Sequence, residues 1–189
     1  MNKYTDNKAF IKHDFSKQDL RSLEFDRCTF TDCLFVNSNL SASSFMECSF
    51  ENCDFSAAKI ENTGFKEVEF SNCKLMGIQF AYCNTFLLQM QFQNCILDLS
   101  SFYKLPLQST KFIQCSLKEV DFVEANLSKA VFHDCDLSGA IFEQSNLEKV
   151  DFRSAINYSI DPDTNKIAKA KFSRDGLAGL LYKHQIEIS

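Results

Sequence analysis

From Lys111 to Phe152 every fifth residue is Phe or Leu: Phe112, Leu117, Phe122, Leu127, Phe132, Leu137, Phe142, Leu147 and Phe152. Two residues before most of them stands something small or apolar, such as Cys115, Val120, Ala125, Cys135 or Val150. The other positions are mostly polar. No standard element keeps a period of five on one face. In an α-helix, steps of five turn a side chain by about 140° and scatter the set around the axis. In a flat strand, an odd spacing alternates faces. One geometry buries every member. Each pentapeptide is a short straight side, and the chain turns by about a quarter circle between sides. Within a side, the centre shares its inward face with the residue two before it. Four sides close a square coil, and stacked coils pair backbone to backbone about 4.8 Å apart.

The same phase reaches back to Phe10 and runs without interruption to Phe80. It then slips. The next centre is read as Leu87, seven residues on, which places a two-residue bulge within residues 81–86. The repeat resumes through Phe92 to Phe152, for 29 centres: 18 Phe, 10 Leu and Ile60. With the bulge counted as one side, Phe10, Phe30, Phe50, Phe70, Phe92, Phe112, Phe132 and Phe152 fall in a single column. Eighteen of the chain's 20 Phe are thereby assigned to the core rather than to a ligand box. The expectation is an all-β solenoid of about seven coils over residues 10–152. A polar, poorly ordered segment (1–9) precedes it and a capping segment (153–189) follows. The first coil carries Lys8, His13 and Gln18 at inward positions, an irregular polar end that defends the exposed strand edge.

Of nine Cys, eight (Cys28, Cys33, Cys48, Cys53, Cys73, Cys95, Cys115 and Cys135) stand two residues before a centre. A zinc site or a disulfide framework would explain cysteines. Locking to the small inward position instead favours their use as small buried hydrophobes, in keeping with a reducing compartment. The tail changes character. Asp161-Pro162-Asp163 marks a turn. Ser173 is read as an N-cap for a short helix whose stripe is Leu177, Leu180 and Leu181. Gly176 and Gly179 allow close approach to the coil end. Gln185-Ile186-Glu187-Ile188 alternates like a strand.

The triplets Ala125-Asn126-Leu127 and Cys135-Asp136-Leu137 resemble the consensus A(D/N)LXX of the pentapeptide-repeat family. The resemblance implies a right-handed quadrilateral β-helix. The tail is similar to the helix and strand that dimerise Qnr-type and MfpA-type members end to end, which implies a homodimer through Leu177, Leu180, Leu181, Ile186 and Ile188. Members of that subgroup mimic DNA toward DNA gyrase and topoisomerase IV. Many Qnr proteins also carry longer loops tied to drug protection. Here there is only the bulge, with Met76, Tyr82, Leu88 and Tyr103 outward nearby. Quinolone protection, self-immunity against a gyrase-poisoning toxin, and modulation of the enzyme without any drug all stay open.

Nothing argues for catalysis. His13, His133 and His184 are scattered, no Gly-rich phosphate loop is present, and no cofactor is implied. Net charge is −5, against a nucleic-acid-binding surface. The first ten residues hold no apolar run and no stretch approaches a membrane span, so a soluble cytoplasmic protein is expected, with no membrane partner. Acidity concentrates in residues 119–152. Glu119, Asp121, Glu124, Asp134, Asp136, Glu143, Glu148 and Asp151 face Lys129 and Lys149 alone. All fall at outward positions. A solubilising surface would explain acids in general. A rod with carboxylates repeating along it would also present an acidic cylinder to a protein that grips duplex DNA, and the family resemblance implies such a partner. The alternative is an interaction scaffold of the same fold with an unrelated partner.

Overall fold

In the computed structural model, which describes residues 3–16 and 18–187, the chain winds as a square coil. One side is a seven-stranded parallel sheet. It joins Ala9–Ile11, Thr29–Thr31, Ser49–Glu51, Val68–Ser71, Met90–Gln93, Lys111–Ile113 and Val131–His133. A second is a four-stranded sheet of Tyr4–Asp6, Glu24–Asp26, Ser44–Met46 and Gly64–Lys66. The other two sides pair through single bridges such as Asp14 with Leu34 and Asp19 with Asn39. Sides are numbered here in chain order from the seven-stranded one, which holds Phe10. Side two holds Phe15, side three Leu20 and side four Phe25.

The reason for the fifth-residue period is visible in the core. On side one, nine Phe from Phe10 to Phe172 stack ring on ring, with centroids 4.7–5.4 Å apart and planes within 3–11°. The stack spacing is the backbone ladder spacing, so ring stacking and strand pairing reinforce each other. Columns meet edge to face across the interior, as with Phe112 and Phe122 at 5.9 Å and 78°. The single Phe column read from sequence is therefore correct, and one member longer.

The corners carry a cost. Twenty-eight non-glycine residues among those described have positive φ, most at the last position of a corner, while only Gly77 and Gly139 do so as glycines. A left-handed L-residue costs roughly 1–2 kcal/mol. Most gain a ladder bond in return; Lys129 N–H, for example, donates to Glu148 O at 2.9 Å.

All nine cysteines are free and buried. Six of them, Cys33, Cys53, Cys73, Cys95, Cys115 and Cys135, form one column after side one. Their thiols do more than fill space. Cys33, Cys53, Cys73, Cys95 and Cys135 donate to the carbonyls of Phe10, Phe30, Phe50, Phe70 and Phe112 one coil below, at 3.3–3.4 Å. Ser43, Thr63, Ser100 and Ser145 serve Leu20, Leu40, Leu75 and Phe122 the same way. Burial pushes the Cys48 and Cys83 thiols up to about 12, which keeps them protonated donors or inert packing.

Several expectations are corrected. Leu87 is not a core centre. It has φ 55° and is 66% exposed, and Leu88 packs against the core instead. Gly64 pairs with Asn84, twenty residues on, but Val68 pairs with Met90, twenty-two on. The two extra residues therefore lie after Asn84, in a turn closed by Leu88 N–H to Thr85 O at 3.3 Å. The coil also extends past both expected boundaries. Tyr4–Asp6 pairs with Glu24–Asp26, and Asp151 bridges to Lys171. At the open end Lys8 lies over the Phe10 ring at 4.8 Å and Gln18 contacts His13 at 2.7 Å, a polar lid on the first coil.

The tail is not an α-helix. Asp175–Leu180 and Tyr182–His184 are 3₁₀ turns. Ser173 Oγ does accept Gly176 N–H, at 3.1 Å. The tighter winding breaks the expected stripe: Leu180 packs on the core while Leu177 and Leu181 are exposed. Gln185, Ile186 and Glu187 form no strand, and Ile188 lies outside the described residues. The glycine reading holds, because a Cβ at Gly176 would collide with Tyr158 Oη and one at Gly179 with the Tyr158 carbonyl.

Two outcomes are expected. Phe112→Ala, in a fully buried stack, should cost about 3–5 kcal/mol in chemical denaturation. Gly179→Ala forces its methyl against backbone and should lift the tail, seen as faster hydrogen exchange over residues 173–187 with the coils unchanged.

Candidate functional site

A residue just before a centre, or one of the two after it, must point outward, so every carboxylate chosen from sequence lies on the surface. Their azimuth depends on which side of the square they occupy. The structure spreads them around the rod. Asp121, Glu124 and Glu143 lie on side three and its far corner, and Glu119 on the corner leading into it. Asp136 lies on side two, Asp151 on side one, Asp134 on the corner between those sides, and Glu148 beyond side four. They are not one patch.

Their charges are also unequal. Asp151 is held by Arg153 at 2.8 Å and approached by Lys171 at 4.0 Å. Asp136 meets Lys118 at 3.4 Å, and Glu124 meets Lys104 at 3.3 Å and the Tyr103 hydroxyl at 3.1 Å. Asp134 faces His133 at 3.3 Å. Asp121 is tied by neutral donors only, Val123 N–H at 2.9 Å and Ser101 O–H at 3.1 Å. Glu119, Glu143 and Glu148 make no ion pair among the described residues. Side three with its leading corner therefore concentrates unneutralised carboxylate: Glu119, Asp121 and Glu143, with Glu124 beside them.

Sequence reasoning missed two features here. Arg153 and Lys171 neutralise Asp151 across one turn and one coil, which a twenty-residue alignment of the chain would have exposed. Tyr103 binds Glu124 rather than joining an apolar patch. Tyr82 is 64% exposed and Met76 40%, on different corners, while Leu88 turns inward. Of the tail residues, Leu177, Leu181 and Ile186 are exposed at the C-terminal end, joined by Tyr182. Among the described residues no group of His, Cys, Asp or Glu could hold a metal ion, and no helix is long and apolar enough to cross a membrane.

A square parallel coil with stacked Phe or Leu centres and a surface of outward polar residues defines a non-globular solenoid built on five-residue units. The family model for the pentapeptide repeat region matches residues 43–112, 86–160 and 105–179, and the chain belongs to that family. Among solved structures it is similar to trypsin-treated QnrB1, a plasmid-mediated fluoroquinolone resistance protein, at 22% identity. That match covers 98% of this chain and 91% of the other, with a TM-score of 0.52. It is also similar to HetL, a pentapeptide-repeat protein involved in heterocyst differentiation regulation from the cyanobacterium Nostoc sp. strain PCC 7120. Identity there is 15%, coverage 90% and 86%, and the TM-score 0.65. No curated protein sequence matches the chain.

Asp136 supplies a pH prediction. Partial burial alone would raise its carboxyl. Hydrogen bonds from Ser138 and Asn157, with Lys118 nearby, outweigh that and hold it at about 2, below its ordinary 3.8. A depressed carboxyl contributes stability above its unfolded value and loses it as pH falls through the folded one. The wild type should lose stability as pH drops from about 4 to about 2, and Asp136→Asn should flatten that part of the profile in acid titrations followed by circular dichroism.

Proposed function

We propose that this protein binds a type II topoisomerase, DNA gyrase or topoisomerase IV, by presenting a rigid acidic rod in place of duplex DNA, and that it catalyses no reaction. The observation that carries the reading is the unneutralised carboxylate of side three. Glu119 and Asp121 on one coil and Glu143 on the next, about 4.8 Å further along, cluster on one side of a scaffold whose geometry the stacked core makes stiff. The likeness to QnrB1 supports this choice of partner, and protection from a quinolone or another gyrase poison follows as its biological use.

The tail belongs to the same reading. Leu177, Leu181, Tyr182 and Ile186 are exposed at one end of the rod, and an end-to-end homodimer through them would roughly double its length. The buried free thiols fit the reducing cytoplasm as its location.

Charge-driven association weakens with salt. Purified protein should inhibit or modulate gyrase supercoiling, with the effect fading across a salt series, and should alter fluoroquinolone-stabilised cleavage. The triple reversal Glu119→Lys/Asp121→Lys/Glu143→Lys should weaken binding by about tenfold or more, as loss of complementary charge does, and leave the fold intact. No effect of the wild type at micromolar protein would remove the topoisomerase reading. Binding unaltered by the triple reversal would remove side three from it. The second reading, a scaffold for an unrelated protein partner, is favoured by the higher structural likeness to HetL. It predicts no effect on supercoiling.

A further inference from the structure

The corner between sides four and one reverses charge along the rod. In the first half Glu47 and Glu67 occupy its left-handed position in adjacent coils, with φ of 51° and 53°. In the last part Lys129, Lys149 and Lys169 occupy that same position in three successive coils, with φ of 60–62°. The ladder fixes the register: Glu47 N–H donates to Lys66 O, Lys129 N–H to Glu148 O, and Lys149 N–H to Ala168 O. Like charges are thus stacked about one ladder spacing apart, an arrangement that opposes stability. None of these five residues has an ion-pair partner among the described residues.

Between the acidic and basic stretches the same corner is apolar. The turn Thr85–Leu88 projects Phe86 and Leu87, each 66% exposed. Beside it a groove of about 270 Å³ is lined by Glu47, Glu67, Glu69, Gln89 and Gln91.

We propose that this corner joins two copies of the chain side by side and antiparallel. A two-fold axis perpendicular to the rod, between the coil of Leu87 and the next, sets Glu67 against Lys129 of the second copy. It sets Glu47 against Lys149 of the second copy. The symmetry repeats both pairs, as an isologous contact requires. Phe86 and Leu87 then meet their counterparts near the axis, so an apolar centre is rimmed by opposite charges. The acidic groove receives the lysine stems and ammonium groups. A parallel arrangement would place glutamate on glutamate and lysine on lysine, which is why the pairing is antiparallel. One coil before Glu47 the same position holds Arg27, with φ of 49°; it falls opposite Lys169 of the second copy at the rim, where its charge is held by Asp6 at 2.8 Å and Asp26 at 3.6 Å. Two further residues of opposite sign intrude. Lys66 is occupied over the Phe86 ring at 5.2 Å, and Glu148 flanks Lys149 without displacing it. Two corners bury little area, so the association belongs to the weak, salt-sensitive class. It lies on the flank, away from the tail, and leaves side three of both copies open. It does not rest on the topoisomerase reading.

Charge exchange tests it. Two full-length variants are made, Glu47→Lys/Glu67→Lys and Lys129→Glu/Lys149→Glu. Both alter exposed side chains, and circular dichroism checks that each folds. Self-association is measured by analytical ultracentrifugation at low ionic strength for the wild type, each variant and their equimolar mixture. The wild type should self-associate in a salt-dependent way. Each variant alone should do so at least tenfold more weakly, since its four pairing positions, 47, 67, 129 and 149, then carry one sign. The mixture should recover wild-type association, because every pair is restored between unlike variants. A wild type that shows no self-association at low salt overturns the proposal. So does equal association in all samples, which an end-to-end junction alone would produce, or failure of the mixture to recover.

Discussion

The structure depends on one coincidence of lengths. A ring stacked on an identical ring, and a strand paired to its neighbour, want nearly the same separation. Once Phe10 lies under Phe30 and Phe30 under Phe50, the backbone of each side is already at ladder distance. Every later element follows from keeping that register. The small inward residue must be small because two centres and the next coil crowd it, and its donor then finds the carbonyl of the centre one coil below. Cys, Ser and Thr meet both demands; Ala and Val meet the first. The cysteine column is thus a product of packing with a hydrogen-bond bonus.

Keeping the register has a backbone consequence. The chain must turn a corner every five residues, and it does so through left-handed residues that are almost never glycine. Asn, Asp, Lys and Glu accept that conformation because the ladder bond from their own N–H offsets it. Two results follow for the surface. Corner side chains are held on a rigid lattice, so charges repeat at fixed intervals. The corner residues, freed from any packing duty, can carry whatever charge a partner demands. The acidic side three and the two-signed corner after side four are different uses of that freedom.

The lattice also explains why counting acids misleads. Eight carboxylates in 119–152 look like one dense patch along the chain. Wrapped on four sides, they point in all directions, and three of them, Glu124, Asp136 and Asp151, sit against the rod's own lysines and arginine. What remains available to a partner is smaller and more directional, centred on Glu119, Asp121 and Glu143.

The sequence by itself determined the inward set, the square coil and the burial of the phase-locked cysteines. These follow from five-residue spacing, a local property that strand alternation and a corner turn convert directly into inside and outside. The side each outward residue faces was decided only by closure of the whole coil. Azimuth accumulates over twenty residues, and the two extra residues after Asn84 shift everything beyond them. The exact place of that insertion turned on whether Leu87 or Leu88 could reach the interior, which depends on the turn from Thr85 and not on composition. The tail likewise took its form from Tyr158. Gly176 and Gly179 were legible as points of close approach, but the 3₁₀ winding that sends Leu180 inward and leaves Leu177 and Leu181 outside was set by the shape of the coil end they cover.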